Sequence, residues 1–180
     1  MGGRYPQHLE QAQRILSIPF KRAGSREIQY LEFDEIQAVL QAVDTEAANG
    51  CRDLALLSLM FNTGARVSEI VGLPTADLRL STPRSVLLRG KGRQERTCPI
   101  WTETASLLHK LMEQHAQPPS PSAPVFFNHR GTRLTRFGVR LILHKYVEKA
   151  RLQRPSLNHK RLHPHSIRHS TQLLTCCARE

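Results

Sequence analysis

The chain has 180 residues, 39% of them hydrophobic, and a formal net charge of +11. This length suits one domain with a buried core, and the hydrophobic content argues against wholesale disorder. No apolar run reaches the length of a membrane span, and the first residues do not resemble a secretory signal. The four cysteines show no disulfide pattern. We therefore expect a cytoplasmic protein with no membrane partner.

The positive charge is concentrated in the last third of the chain. Residues 1–128 contain 14 Lys and Arg against 13 Asp and Glu, whereas residues 129–180 contain 12 against 2, together with six of the nine histidines. A polarised basic surface favours a polyanion as partner, most simply the backbone of double-stranded DNA. The alternative is a basic stretch that only aids solubility.

The first half of the chain predicts helices. "LEFDEIQAVLQAV" has the helical period and carries acids in its first turn. Its apolar face comprises Phe33, Ile36, Val39, Leu40 and Val43. "CRDLALLSLMFNTGARVSEIVGL" opens with a nearly all-apolar helix, which should be central and buried. Gly64 then interrupts the pattern, and a short second helix runs through Val71.

The middle of the chain predicts one small sheet between helices. "SVLLRGKGRQERTCPI" is typical of a β-hairpin with a Gly-Lys-Gly turn. "WTETASLLHKLMEQHA" predicts an amphipathic helix with Thr102 or Thr104 as N-cap, and "QPPSPSAP" a loop. "TRFGVRLILHKYVEKARL" predicts a basic helix with Phe137, Ile142 and Tyr146 near one face. The expected fold is mainly α with a small antiparallel β-hairpin or sheet.

The stretch "TGARVSE" is the first of three motifs with phosphate-binding character. Arg66 follows a glycine break at a helix start, where free backbone N–H groups attract anions, and its guanidinium can bind two phosphate oxygens. Glu69 lies three residues on, on the same helical face, where it can orient Arg66. The alternative is an ordinary surface ion pair.

The second motif is "RGKGRQER", at the predicted hairpin turn. Lys91 lies between two glycines and is flanked by Arg89, Arg93 and Arg96. A lysine in this position can approach a DNA strand and protonate a leaving oxygen. An ordinary solvated turn is the alternative, and the glycine spacing is not that of a P-loop.

The third motif is "HPHSIRHS". Pro164 marks a helix start, and His165 and Arg168 fall three residues apart on one face, as a phosphate clamp with a proton donor would require. His169 points elsewhere, and we expect it to pack or form a hydrogen bond inward, in a supporting role.

In succession, "NTGARVSEIVGL", "GKGRQERTCPIW" and "HPHSIRH" resemble the catalytic domain of the tyrosine recombinases, the phage integrase family. The resemblance runs from about Ile18 to Leu174, and "SIPFKRAGSREIQYLEFDEI" is similar to the lead-in of members from transposable elements. It implies an incomplete catalytic domain of that fold, in which four residues surround the scissile phosphate and Glu69 supports the first arginine. The four are Arg66, Lys91, His165 and Arg168.

The resemblance also implies the chemistry: integration or recombination of DNA by strand cleavage without a metal or other cofactor. The arginines stabilise charge on the phosphate, the lysine protonates the 5′-hydroxyl, and a tyrosine forms a 3′-phosphotyrosyl link. Further DNA contacts are assigned to basic residues of the hairpin and of the basic helix with its preceding turn. They are Arg89, Arg93, Arg96, Arg133, Arg136 and Arg140.

The sequence departs from the family pattern at both ends. The three tyrosines, Tyr5, Tyr30 and Tyr146, all precede the third motif with His165 and Arg168, in segments that match non-nucleophilic parts of the family. We therefore divide the chain into a remnant of an N-terminal DNA-binding domain and linker (1–20), a partial catalytic domain (21–175) and an off-pattern tail (176–180). The expected protein binds DNA but does not cleave it alone.

Three alternatives remain open. A non-catalytic DNA-binding fragment could self-associate on DNA, or associate with a full-length recombinase and modulate it. A zinc-stabilised nucleic-acid-binding module could use His159, His163, His165, His169, Cys176 and Cys177, although the spacing fits no zinc finger. A helix-turn-helix would leave the hairpin and its basic residues unexplained.

Overall fold

A computed structural model describes residues 30–90, 92, 94–114 and 120–177, and for 173–177 it describes the backbone alone. The α-helices of this part are α1 (Phe33–Gln41), α2 (Gly50–Thr63), α3 (Val67–Val71), α4 (Thr102–Glu113), α5 (Arg136–Arg151) and α6 (Pro164–Cys177). Short 3₁₀ turns cover Thr75–Asp77 and Pro155–His159. None of these helices has the length and apolarity that crossing a bilayer requires.

Helix α2 lies at the centre of the core, as its sequence predicts. It packs against α1, α3, α4 and α6, and its residues from Ala55 to Phe61 are all buried. The helix ends where Gly64 adopts φ 58°, a left-handed conformation that favours glycine, and the Gly64 N–H donates to the Met60 carbonyl at 2.9 Å. This turn redirects the chain into α3.

The sheet has three antiparallel strands in the order β1–β2–β3, namely Leu78–Arg79, Ser85–Arg89 and Glu95–Pro99. Strands β2 and β3 pair from Ser85 with Pro99 to Arg89 with Glu95, which confirms the predicted hairpin. Val86 and Leu88 point into the core with the period of two that a half-buried strand requires. The short strand β1 has too little pattern for sequence reasoning to find.

Two predicted helix faces contain one wrong residue each. Phe33 is 55% exposed and Phe137 is 66% exposed, although both were placed with buried residues. In α5 the buried stripe runs from Val139 through Ile142 to Tyr146, and a helix rotates Phe137 away from that stripe towards Leu141, which is also exposed. Phe33 is the first residue of α1, where the helix has only begun.

The predicted N-cap of α4 is also wrong. Thr102 and Thr104 both lie inside the helix, and Trp101 occupies the N-cap position without a side-chain hydrogen bond to the helix. The Trp101 N–H donates instead to the Asn62 side-chain oxygen at 2.8 Å, which ties the helix start to the end of α2.

A buried polar network joins α2 to α5. The Asp53 carboxylate accepts hydrogen bonds from Arg52 at 2.6 and 2.9 Å and from the Tyr146 hydroxyl at 2.9 Å, and Arg52 also donates to the Phe127 carbonyl at 3.1 Å. Burial, followed by the bond to Asp53, raises the pKa of Tyr146 above its ordinary value. Because Tyr146 is 1% exposed and already bonded, its hydroxyl cannot reach a phosphodiester.

Tyr146→Phe should lower the free energy of unfolding by about 1–2 kcal/mol, because Asp53 would keep its buried charge but lose one donor. Urea titration at pH 7 measures this difference. The matched control is Tyr30→Phe, at a tyrosine that is 44% exposed, which we expect to change the unfolding free energy by less than about 0.5 kcal/mol. Equal effects of the two variants would contradict a stabilising role of the network.

Candidate phosphate-binding site

The site is built around the turn between α2 and α3. Arg66 precedes α3 as its N-cap residue, and Glu69 is the third residue of the helix. The Arg66 backbone N–H donates to Glu69 Oε2 at 2.7 Å, and Arg66 Nη1 lies 3.3 Å from Glu69 Oε1. Glu69 therefore holds both the backbone and the side chain of Arg66.

Arg96 reaches the same carboxylate from strand β3. Its Nη1 and Nη2 atoms donate to the two oxygens of Glu69, each at 2.8 Å, in a bidentate pair. The Glu69 side chain is 1% exposed. Burial alone would raise the pKa of Glu69, but the hydrogen bonds and charge of Arg96, with those of Arg66, lower it to about 2. Glu69 is thus ionised at neutral pH.

Arg168 joins the cluster from α6. Its Nη1 donates to the Gly64 carbonyl at 2.7 Å, and Thr171, one turn later, donates to the Phe61 carbonyl at 2.8 Å. Burial lowers the pKa of Arg168, and the positive charges of Arg66 and Arg96 lower it further. Arg168 thus binds the turn that carries Arg66, while Arg66 and Arg96 share the Glu69 carboxylate.

The two histidines of the third motif lie on α6. His165 is exposed and sits three residues before Arg168 on the same helix face, as predicted, whereas His169 is partly exposed. Ser170, which sequence reasoning did not single out, is fully buried and its Oγ accepts from the Leu31 N–H at 2.7 Å. This bond ties α6 to the segment before α1.

The hairpin closes one side of the cluster. Gly90 approaches so closely that a Cβ added there would lie 3.2 Å from Glu69 Oε1. A cleft at this place is lined by Arg66, Gly90, Gln94, Glu95 and Arg96. Lys91 and Arg93, predicted as proton donor and DNA contact, lie outside the described residues.

The other predicted DNA contacts fall into two groups. Arg89 is paired with Asp77 through two bonds of 2.9 Å, and Arg133 donates through Nε to the Val71 carbonyl at the end of α3. Arg136 and Arg140 are exposed, one turn apart on α5. Their contacts with DNA stay predictions.

The low pKa of Glu69 predicts an acid-sensitive fold. In the unfolded chain the ordinary pKa of 4.5 applies, so this carboxylate stabilises the folded state fully above about pH 4.5 and progressively less as the pH falls towards 2. Urea unfolding at pH 7, 4 and 3 should therefore show a smaller acid loss for Glu69→Gln than for the unmodified chain. Identical losses would show that Glu69 has an unperturbed pKa.

Known proteins resemble this chain over most of its length. The profile of the phage integrase family matches residues 29–175, which include all three motifs. The chain belongs to this family. The matched residues contain the three motifs, and the roles of their side chains stay predictions.

Relatives in this family are named integrases and recombinases. The chain is 40% identical over 159 residues to the integrase/recombinase y4rD of Sinorhizobium fredii, covering 88% of the chain and 57% of the relative. It is 33% identical over 155 residues to the tyrosine recombinase XerC of Actinobacillus pleuropneumoniae, covering 86% and 48%. The chain therefore spans about half the length of the curated relatives it matches.

Solved structures of the family share the fold. The recombinase XerH bound to its difH substrate superposes with a TM-score of 0.72 at 24% identity, covering 88% of this chain and 45% of that chain. The recombinase XerA gives a TM-score of 0.71 at 21% identity, covering 97% and 61%. The predicted fold class, a mainly α catalytic domain of this family with a small antiparallel sheet, is confirmed.

The alternative of a zinc-stabilised module has no support in the described residues. Within the part of the chain that the structure describes, no group of three or more His, Cys, Asp or Glu side chains could hold a metal ion.

Proposed function

We propose that the chain acts in site-specific recombination of double-stranded DNA, with its arginine cluster holding the phosphate at which a strand is cut. One observation carries this proposal: Arg66 and Arg96 bind the buried Glu69 carboxylate, and Arg168 binds the Gly64 carbonyl two residues before Arg66, so three arginines meet at one turn. The three arginines outnumber the carboxylates of Glu69 and of Glu95, which lines the cleft, so positive charge is left for a phosphate or its more highly charged transition state to neutralise.

In the proposed reaction, Arg66 and Arg168 bind the two non-bridging oxygens, and His165 donates a hydrogen bond to the same phosphate. The hydroxyl of a tyrosine other than Tyr5, Tyr30 and Tyr146 loses its proton to solvent and attacks phosphorus, so that a new O–P bond forms while the bond to the 5′-oxygen breaks. Lys91 supplies the proton that the departing 5′-oxygen takes up. These roles are carried over from the family pattern onto Arg66, Lys91, His165 and Arg168.

The N-terminal part of α5 supports the proposal by its position. Arg133 binds the Val71 carbonyl and covers Gly72, so the turn before α5 is anchored to the end of α3, whose other end follows Arg66. Arg136 and Arg140, which follow this turn on α5, are both exposed. A duplex held at the cluster would meet these two side chains with its backbone phosphates.

The proposal includes two finer points about setting and assembly. We place the protein in the cytoplasm, where recombinases of bacteria such as those of its named relatives would meet DNA. Protomers are expected to associate on DNA, since structural neighbours include XerH on a palindromic substrate and a lambda integrase dimer on a core site.

The direct test is duplex binding measured by fluorescence anisotropy. Arg66→Ala should weaken binding about fivefold or more, because it removes one charged phosphate contact. The matched control is Arg84→Ala at the opposite end of the hairpin from the cluster, where the side chain makes only a 3.5 Å contact with Thr102; it should change affinity by less than twofold. Absence of duplex binding by the unmodified chain would overturn the proposal.

A further inference from the structure

Arg96 differs from the other two arginines in how its donors are used. Both of its Nη atoms are bound to Glu69 at 2.8 Å. Arg66 makes one side-chain contact with Glu69, at 3.3 Å, and 49% of its side chain is exposed against 35% for Arg96. Most N–H donors of the Arg66 guanidinium are therefore available to an anion. In Arg96, the two Nη donors that could bind an anion are already bonded to Glu69.

The carboxylate between them is the point of contact. Glu69 is buried, so its charge needs a partner inside the protein, and Arg96 provides the shorter and better aligned one. With its side chain fixed in this way, the Oε2 atom of Glu69 accepts the backbone N–H of Arg66 and its Oε1 atom faces the Arg66 guanidinium. A chain of contacts thus runs from strand β3 through α3 to Arg66.

We propose that Arg96 is a positioning residue, which acts through Glu69 to fix Arg66 in the orientation that binds phosphate, and does not itself provide an independent phosphate contact. This inference rests on the proposed function of the cluster. It reassigns Arg96, which the sequence pattern predicts as a direct DNA contact.

The first experiment measures hydrogen exchange of single amides in Arg96→Lys. Lysine keeps a positive charge beside buried Glu69, so the fold is retained, but it cannot form the two-pronged pair. Exchange of the Arg66 amide, which donates to Glu69, should accelerate about tenfold. Exchange of the buried Leu59 amide in α2 should stay unchanged, because a general loss of stability would accelerate both. An unchanged Arg66 amide would overturn the proposal.

The second experiment is a double-mutant cycle on duplex affinity. Arg96→Lys should weaken binding about fivefold in the unmodified chain but less than twofold when Arg66 is already alanine, because nothing would then remain to be positioned. Equal losses in both backgrounds would make Arg96 an independent DNA contact and overturn the proposal. The exchange experiment needs no DNA, so accelerated exchange in a chain that binds no duplex would overturn the proposed function and support the assignment of Arg96.

Discussion

Arg66→Ala or Arg168→Ala should reduce DNA cleavage by about 10²–10³-fold, in a chimera that continues residue 175 with the tyrosine-bearing C-terminal segment of a relative. Each substitution removes a charged donor aimed at the phosphate, and donors of this kind contribute more to the transition state than to the ground state. Duplex binding, which depends on many phosphates, should fall by less than about tenfold.

The cleavage assay does not require a known target site. A duplex selected for tight binding from a randomised pool is nicked at successive positions, and the covalent protein–DNA product is separated by denaturing electrophoresis. Arg84→Ala in the same chimera is the control, and its cleavage should be unaffected. Cleavage at the rate of the unmodified chimera by Arg66→Ala or Arg168→Ala would remove these residues from the active site.

The second large effect is the salt dependence of duplex binding by the unmodified chain. The excess of basic residues in 129–180, 12 Lys and Arg against 2 Asp and Glu, predicts binding dominated by phosphate contacts. With at least about four contacted phosphates, the slope of log affinity against log salt is about −4, so affinity should fall about 10²-fold between about 50 and 200 mM salt.

A double substitution measures how much α5 contributes to the slope of log affinity against log salt. Arg136→Ala with Arg140→Ala should make the slope less steep by about 2, because both exposed side chains would lose a phosphate. The matched control is Arg84→Ala with Arg154→Ala, at positions where the side chains contact Thr102 and Asp34. This pair should leave the slope unchanged. A flat salt response of the unmodified chain would exclude a DNA-binding face of this kind.

Sequence reasoning located the elements that carry strong periodic patterns and the motifs within them. The helix over "CRDLALLSLMFNT" and the hairpin follow from local pattern, and the Gly64 break follows from the chemistry of glycine. The prediction of Glu69 as the support of Arg66 needed only a spacing of three residues in a helix. Contacts between residues three or four positions apart can be predicted from the local sequence.

The parts that sequence reasoning missed depend on long-range packing. The bidentate pair of Arg96 with Glu69 joins residues 27 positions apart, and no local pattern distinguishes Arg96 from Arg89, which pairs with Asp77. The prediction for Phe137 fails for another reason: it lies five and nine residues before Ile142 and Tyr146, a spacing that turns it to another side of the helix, where it is exposed. The side chains that hold α6, such as Ser170, look like ordinary polar residues until their partners are known.

The most direct test of the central claim is to observe the side-chain Nε–Hε resonances of the arginines while a short duplex is added at low salt. The cluster predicts that Arg66 and Arg168 shift together, early in the titration, and that Arg154, paired with Asp34 at 3.3 Å, does not. Shifts confined to the arginines of α5, with Arg66 and Arg168 unmoved at saturation, would contradict a phosphate-binding role for the cluster.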